Sequence, residues 1–296
     1  MNPLNPQSRL ALKKIMLPTD FSPASDVALP YALTIARHYG SELFVAHVIS
    51  PEFADLIAPE RGPTIRPEAQ RFAQQNMERF LSAGREWGIS CQPLIGDGEI
   101  WDVLHGMILQ CGIDLVVVGT HGRRGWRKLV LGSVAEEIFR MAPCPVLTVG
   151  PRTAEIQAMD VRLDHILYPL EFVPDPSNAA AYAVSLAEEY QAKLTLMKVF
   201  AEMVPSSEEK AHVQGPVRHW IDDHIPAESD LRARTSFEPG FGPTAEAILK
   251  FATNGGVDLI VLGARRMDPV MAAHLPKSDT AYEVVRTAPC PVLTVR

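Results

Sequence analysis

The sequence is short of the residues that would identify it quickly. Cysteine occurs four times in 296 residues, at Cys91, Cys111, Cys144 and Cys290. None forms a C-x-x-C pair, and thiols so scattered suggest neither a disulfide framework nor a zinc site. Cys144 and Cys290 both lie in "APCPVLTV" and read as small buried apolar residues. No apolar run approaches the roughly 20 residues needed to cross a bilayer. "LVVVG" and "LIVLG" are far too short, so no membrane partner is expected. The opening "MNPLNPQSRLALKKIMLP" is basic, but no apolar region of signal-peptide length follows it, and the expected location is cytoplasmic. Positive charge is not in excess either. Residues 1–150 carry 14 Lys and Arg against 15 Asp and Glu, residues 151–296 carry 14 against 20, and the net charge is −7. Neither half has a basic nucleic-acid footprint, so no nucleic-acid partner is expected.

What is present is an ordinary globular mixture, 47% apolar and 21% charged. At roughly 150 residues per domain the length suits two cores. The chain also repeats itself. "KIMLPTDFSPASDVALPYALTIARHYGSELFVAHV" at 14–48 aligns without a gap on "HILYPLEFVPDPSNAAAYAVSLAEEYQAKLTLMKV" at 165–199. "GIDLVVVGTHGRRG" at 112–125 matches "GVDLIVLGARRMDP" at 256–269, and "APCPVLTV" closes both halves. The unit is domain-sized, with its junction expected in 150–163.

Each unit alternates strand and helix. "KIMLP", "ELFVAHV", "SCQPLIG", "DLVVVG" and "PVLTVG" read as strands. "SPASDVALPYALTIARHYG" reads as a helix, with Pro30 an interior residue that would kink it. Apolar strands separated by helices imply a parallel sheet covered on both faces. Ligands of such sheets bind beyond the carboxyl ends of the strands, where the strand order reverses. Two ends are suggestive: "PTDFS" at 18–22 and "GTHGRRG" at 119–125. Glycines there let backbone approach a ligand, Ser133 is placed to cap the next helix, and a helix N-terminus favours phosphate. Asp20 could accept hydrogen bonds from a sugar or base, or simply cap its own helix. His121 and Trp126 read as loop residues.

"PTDFS", the spacing G-x2-G-x9-G-S through Gly119, Gly122, Gly132 and Ser133, and "APCPVLTV" together resemble the universal stress protein family, in a tandem layout. The resemblance implies two open five-stranded parallel sheets of order 3-2-1-4-5 with helices on both faces, related to the adenine nucleotide alpha hydrolase-like folds. It also implies a domain at 1–150 with an intact ATP motif and one at 158–296 with a degenerate motif. ATP would then bind with Pro18, Thr19 and Asp20 on the adenosine side and Val48, ending the second strand, against adenine. Gly119 and Gly122 would approach ribose and phosphates. Gly132, Ser133 and Val134 would present N–H and hydroxyl groups to the phosphates, which would hold Mg²⁺. Arg123, Arg124, Arg127 and Lys128 either add attraction or form a solvated loop.

The second copy departs from this pattern. Thr19 becomes Leu170, Asp20 becomes Glu171 and Gly122 becomes Arg266, while Gly263 remains. Ser278-Asp279 stand where Gly132-Ser133 stood, and a carboxylate at Asp279 would repel phosphate; Arg265 and Arg266 could still attract another anion. The implied function is an ATP-binding regulator of the stress response acting on an unidentified protein partner. The alternatives are a slow ATPase and a nucleotide-independent scaffold. The chain lacks the S-G-G-x-x-S and H-x-G-H signatures of adenylyl transfer, and His121 is the only candidate base near the motif. The two copies are expected to pair within one chain, leaving a monomer or a homodimer.

Overall fold

The computed structural model describes residues 10–50, 65–120, 131–150, 161–170, 178–200, 207–264 and 280–296. The chain divides into two compact units, Ala11–Val161 and Arg162–Arg296, with Leu10 belonging to the second. In that unit the Leu10 N–H donates to the Ser185 hydroxyl at 3.3 Å.

The first unit runs β1 (Lys14–Pro18), α1 (Pro23–Asp26), α2 (Leu29–Tyr39), β2 (Glu42–Ile49), α3 (Ile65–Glu86), β3 (Cys91–Asp97), α4 (Ile100–Cys111), β4 (Leu115–Gly119), α5 (Ser133–Met141) and β5 (Val146–Val149). Its strands are parallel in the order β3-β2-β1-β4-β5. The second unit runs β6 (His165–Pro169), α6 (Ala179–Glu189), β7 (Lys193–Phe200), α7 (Ser207–His224), α8 (Leu231–Arg234), β8 (Thr235–Phe241), α9 (Thr244–Asn254), β9 (Leu259–Gly263), α10 (Thr280–Thr287) and β10 (Val292–Val295). Its order, β8-β7-β6-β9-β10, is the same winding. Successive residues Ile15, Met16 and Leu17 are all fully buried, so both faces of the sheet are covered. On α3 the buried residues Ala69, Ala73, Met77 and Phe80 recur at helical spacing and form one stripe. In each unit the outer strand next to the second strand in sequence carries a proline, Pro93 in β3 and Pro239 in β8, where the ladder can spare an N–H.

Both units fasten the root of their first strand in the same way. One carboxylate oxygen of Asp114, just before β4, accepts the backbone N–H groups of Lys13 at 2.8 Å and Lys14 at 2.9 Å. The Asp114 N–H donates in turn to the Lys14 carbonyl at 2.9 Å. Asp258, just before β9, accepts from Asp164 at 3.0 Å and His165 at 2.9 Å, and donates to the His165 carbonyl at 2.9 Å. These aspartates are the shared letter of "GIDL" and "GVDL". Beside each clasp a side chain of the first strand meets the end of the preceding helix. Lys14 Nζ donates to the Cys111 carbonyl at 2.7 Å, and His165 Nδ1 to the Gly255 carbonyl at 3.1 Å.

The helix expected after β1 is corrected by the structure. It is two pieces, α1 and α2, with Pro30 in the first turn of the second. Pro30 has no N–H to offer the Asp26 carbonyl four residues back, and α1 stops at Asp26. α2 ends on Gly40, whose φ of 63° is the left-handed cap. The second unit makes the same turn with Gln191 at φ 54°, its side chain donating to the Glu188 carbonyl at 2.8 Å.

Removing the Asp114 clasp leaves the Lys14 N–H, in a partly buried setting, without its acceptor. Asp114→Ala is expected to lower stability by about 1–3 kcal/mol, read as a lower midpoint in urea unfolding.

Candidate functional site

β1 and β4 lie side by side with Ile15 opposite Leu115, and the winding reverses between them. Their carboxyl ends carry Thr19–Ser22 and Gly119–Thr120. A third element is brought back to the same place: the Gly132 N–H donates to the Thr120 carbonyl at 2.8 Å, seating the start of α5 beside the end of β4. Gly122, His121, Arg123, Arg124, Trp126, Arg127 and Lys128 lie outside the described residues.

Pro18 ends β1 and is buried. Thr19 is buried too, and its hydroxyl is occupied within the protein. It accepts the Phe21 N–H at 2.9 Å and lies 3.0 Å from Ser25 Oγ. Ser25 spends its own hydrogen on the Ser22 carbonyl at 2.9 Å, so Thr19 is the donor to Ser25. Ser22 caps α1, accepting the Ser25 N–H at 3.2 Å. Asp20 is therefore not the cap. Its Oδ1 accepts the Ser22 N–H at 2.9 Å, which tightens the turn.

Phe21 has φ 60°, a left-handed conformation rare for an aromatic residue. Its ring packs on His47 at 4.3 Å between centroids, with Phe80 at 6.0 Å and Phe72 at 6.2 Å. His47 is buried and donates Nδ1–H to the Thr19 carbonyl at 2.8 Å. The strained turn is thus held from below by β2 and from the side by α3. Val48 is buried one residue before the end of β2, which runs to Ile49 rather than stopping at Val48.

Gly119 has a packing reason that its letter alone did not reveal. A Cβ on it would lie 2.7 Å from the Ala24 carbonyl oxygen and 3.2 Å from Ser25 Cα. The end of β4 therefore runs against the backbone of α1, which brings "PTDFS" to the strand-four end.

The expectation that Ser133 caps α5 is corrected. Gly132 is the N-cap, with φ −62° and ψ 145°, and Ser133 is the first helical residue, exposed. Gly132 is committed to that extended shape by its bond to Thr120, and its carbonyl accepts the Glu136 N–H at 2.8 Å. Having no side chain, it leaves the first-turn N–H groups of Ser133, Val134 and Ala135 without a side-chain cap.

Charge around this site is mixed. Glu136 pairs with Arg140 at 2.9 Å. Burial pushes the Glu137 carboxyl above its ordinary range, and the carboxylates of Asp102, Glu136 and Glu99 push it further. On the β1 side, burial raises Asp26, its pair with Arg79 at 2.8 Å pulls it back, and Asp20 adds to the rise.

The second unit keeps the backbone and changes the chemistry. The Leu170 N–H donates to the Met197 carbonyl at 2.7 Å as Thr19 N–H does to Ala46 at 2.9 Å, but Leu170 has no hydroxyl. Gly263 ends β9. Glu171, Arg265, Arg266, Ser278 and Asp279 lie outside the described residues.

Two doubly wound sheets, the first with a helix start that has no side-chain cap beside its reversal point, define a tandem α/β protein. The profile described as universal stress protein family matches residues 11–150 and again 162–296, and the chain belongs to that family. Universal stress protein MJ0531 of Methanocaldococcus jannaschii is 32% identical over 139 residues, covering 46% of this chain and 81% of the relative. Universal stress protein A of Escherichia coli is 28% identical over 148 residues, covering 49% and 99%. The crystal structure of a universal stress protein from Archaeoglobus fulgidus shares the fold at TM-score 0.76 and 19% identity, covering 96% of this chain and 98% of that one. No helix among the described residues is long and apolar enough to cross a membrane.

Two outcomes are expected. Gly119→Ala forces backbone apart, and is expected to lower stability by about 1–3 kcal/mol in chemical denaturation. Glu137 has a folded pKa above its ordinary 4.5, so it is tolerated at acid pH and becomes unfavourable as pH rises through the folded value. Glu137→Gln should then melt higher than the parent at neutral pH, with the gap closing as the buffer approaches pH 4.5.

Proposed function

We propose that the first domain, within residues 1–150, binds one ATP per chain, and that bound nucleotide switches a partner protein's engagement rather than being consumed. Membership of the universal stress protein family supports a role in the stress response. The observation that carries the ligand reading is the start of α5. Its first-turn N–H groups have no side-chain cap, its N-cap is a glycine, and Thr120 holds it at the switch point. Such an end attracts phosphate through unsatisfied donors and the helix dipole together. Gly132, Ser133 and Val134 take the phosphates in this reading, while Pro18, Asp20 and Val48 stand on the adenosine side. Thr19 acts through the turn it braces, since its hydroxyl is engaged with Phe21 and Ser25. Mg²⁺ would be held through the phosphates in this reading.

The second domain, within 158–296, is read as a partner that has lost the site. Leu170 removes the threonine hydroxyl, and Asp279 stands where Ser133 stands in the first copy. Slow or absent turnover is the expectation: His47 is committed to packing against Phe21 and to the Thr19 carbonyl, and a loop histidine, His121, is the remaining candidate base, outside the described residues. A nucleotide-independent scaffold is the second reading. It is favoured by Gly119 and Thr19, whose packing and hydrogen bonds explain two motif letters without any ligand.

Titration calorimetry on the full chain is expected to give one ATP. Gly132→Asp should abolish binding by filling and charging the phosphate position, without lowering the nucleotide-free melting temperature appreciably. Ser133→Ala should weaken binding by about 1.5–3 kcal/mol at most. Phosphate release should stay well below about 1 per second. A folded Gly132→Asp variant with unchanged ATP affinity would leave the scaffold reading standing.

A further inference from the structure

The clasp at the root of β1 and its counterpart at β6 are alike in backbone and differ in one side chain. Lys14 occupies the position in the first domain and His165 in the second, and each donates to the carbonyl at the end of the preceding helix. An ordinary lysine titrates at about pH 10.4 and an ordinary histidine at about 6.5, so only the second can change charge near neutrality.

His165 is held on both ring nitrogens. Nδ1 donates to the Gly255 carbonyl, and Nε2 lies 2.8 Å from Thr195 Oγ1. Thr195 Oγ1 is in turn 3.2 Å from Ser236 Oγ. The neutral ring takes the Thr195 hydrogen on Nε2. Protonation reverses that bond: Nε2 becomes a donor, and Thr195 must turn its hydrogen elsewhere, with Ser236 the acceptor in reach. The residue is 9% exposed and its ring stands edge-on to Phe251 at 6.3 Å, so the added charge enters a confined place. Thr195 is fully buried on β7, so the reversal occurs inside the sheet.

We infer that His165 makes the clasp of the second domain acid-sensitive: protonating it at mildly acid pH loosens the union of β6, β7 and the end of α9, while the Lys14 clasp of the first domain is unaffected; the first domain's buried histidine, His47, sits away from that clasp, at the Thr19 carbonyl beyond the other end of β1. The surrounding charges are Lys193 on β7, which opposes protonation, and Asp258 before β9, which favours it; Asp164 lies at the mouth of the same clasp. Burial is the larger influence and lowers the His165 pKa. A lowered histidine contributes stability that is present above 6.5 and lost as pH falls through the folded value. Asp258 works in the opposite sense. Burial raises its carboxyl, so acidification relieves it, and a net loss of stability in acid belongs to the histidine. The inference does not depend on nucleotide binding.

The test follows amide hydrogen exchange by mass spectrometry on the full chain, without nucleotide, between about pH 7 and about pH 5. Rates are corrected for the intrinsic pH dependence of exchange. Peptides spanning the amino ends of β6 and β9 are expected to lose protection on acidification while those spanning the amino ends of β1 and β4 keep theirs. His165→Gln, which cannot take a proton, should abolish the loss, and Lys14→His should import it into the first domain. The His165 ring resonances should titrate below 6.5. Equal changes at the two clasps, an undiminished loss in His165→Gln, or titration at or above the ordinary value would each overturn the inference. If His165→Gln does not fold, the ring titration and the Lys14→His variant decide it.

Discussion

One carboxylate fixes the geometry of each half. Asp114 holds two successive N–H groups at the root of β1 while its own N–H engages the same strand, so β1 cannot slide along β4. A slip of one residue would turn every side chain of β1 to the other face of the sheet. It would also carry the Thr19–Ser22 turn about 3.3 Å past Gly119, ending the close fit between β4 and α1. The chemistry at one end of the sheet is thus aligned by a hydrogen-bond clasp at the other. Asp258 does the same for the second half, where the crevice residues have changed and the clasp has not.

The two copies show which parts of a domain can vary separately. The backbone bond that leaves β1 is kept when Thr19 becomes Leu170. The left-handed cap after the second helix is kept when Gly40 becomes Gln191. What goes is hydrogen-bonding capacity at the crevice, since leucine cannot receive the N–H that Thr19 takes from Phe21. A scaffold with most of its strands buried tolerates this because its core lies between the sheet and the helices, away from the strand ends.

Much of the fold could be read in the sequence because buried parallel strands are spelled as short apolar runs and the repeat supplies each boundary twice. The break between α1 and α2 was half legible: Pro30 was visible, but its effect fell four residues back, on the Asp26 carbonyl, and ended one helix before the next began. Ser133 looked like a cap by residue preference, yet Gly132 holds that place because its own N–H is tied to Thr120, a backbone bond that leaves no letter. Gly119 read as ligand space, and its neighbour is the backbone of Ala24, equally silent in sequence. Phe21 stood inside the quoted motif without a role; its positive φ and its contact with His47 need the third dimension. The exchange of Lys14 for His165 was plain as letters, but its partners are carbonyl oxygens and a threonine from elsewhere in the fold.

Leu10 gives the chain an unexpected order of assembly. It belongs to the second unit and meets Ser185, 175 residues further on, while everything from Ala11 to Val161 forms the first. The first unit is therefore an insertion between the segment that ends at Leu10 and the remainder of the second. During synthesis Leu10 leaves the ribosome at the outset and must wait through the making of an entire domain before its partner exists. The contacts of the first domain close within 11–161, whereas the Leu10 contact spans 175 residues and is the slower kind to make. Cutting the chain at the junction parts Leu10 from Ser185, so the second half loses that hydrogen bond.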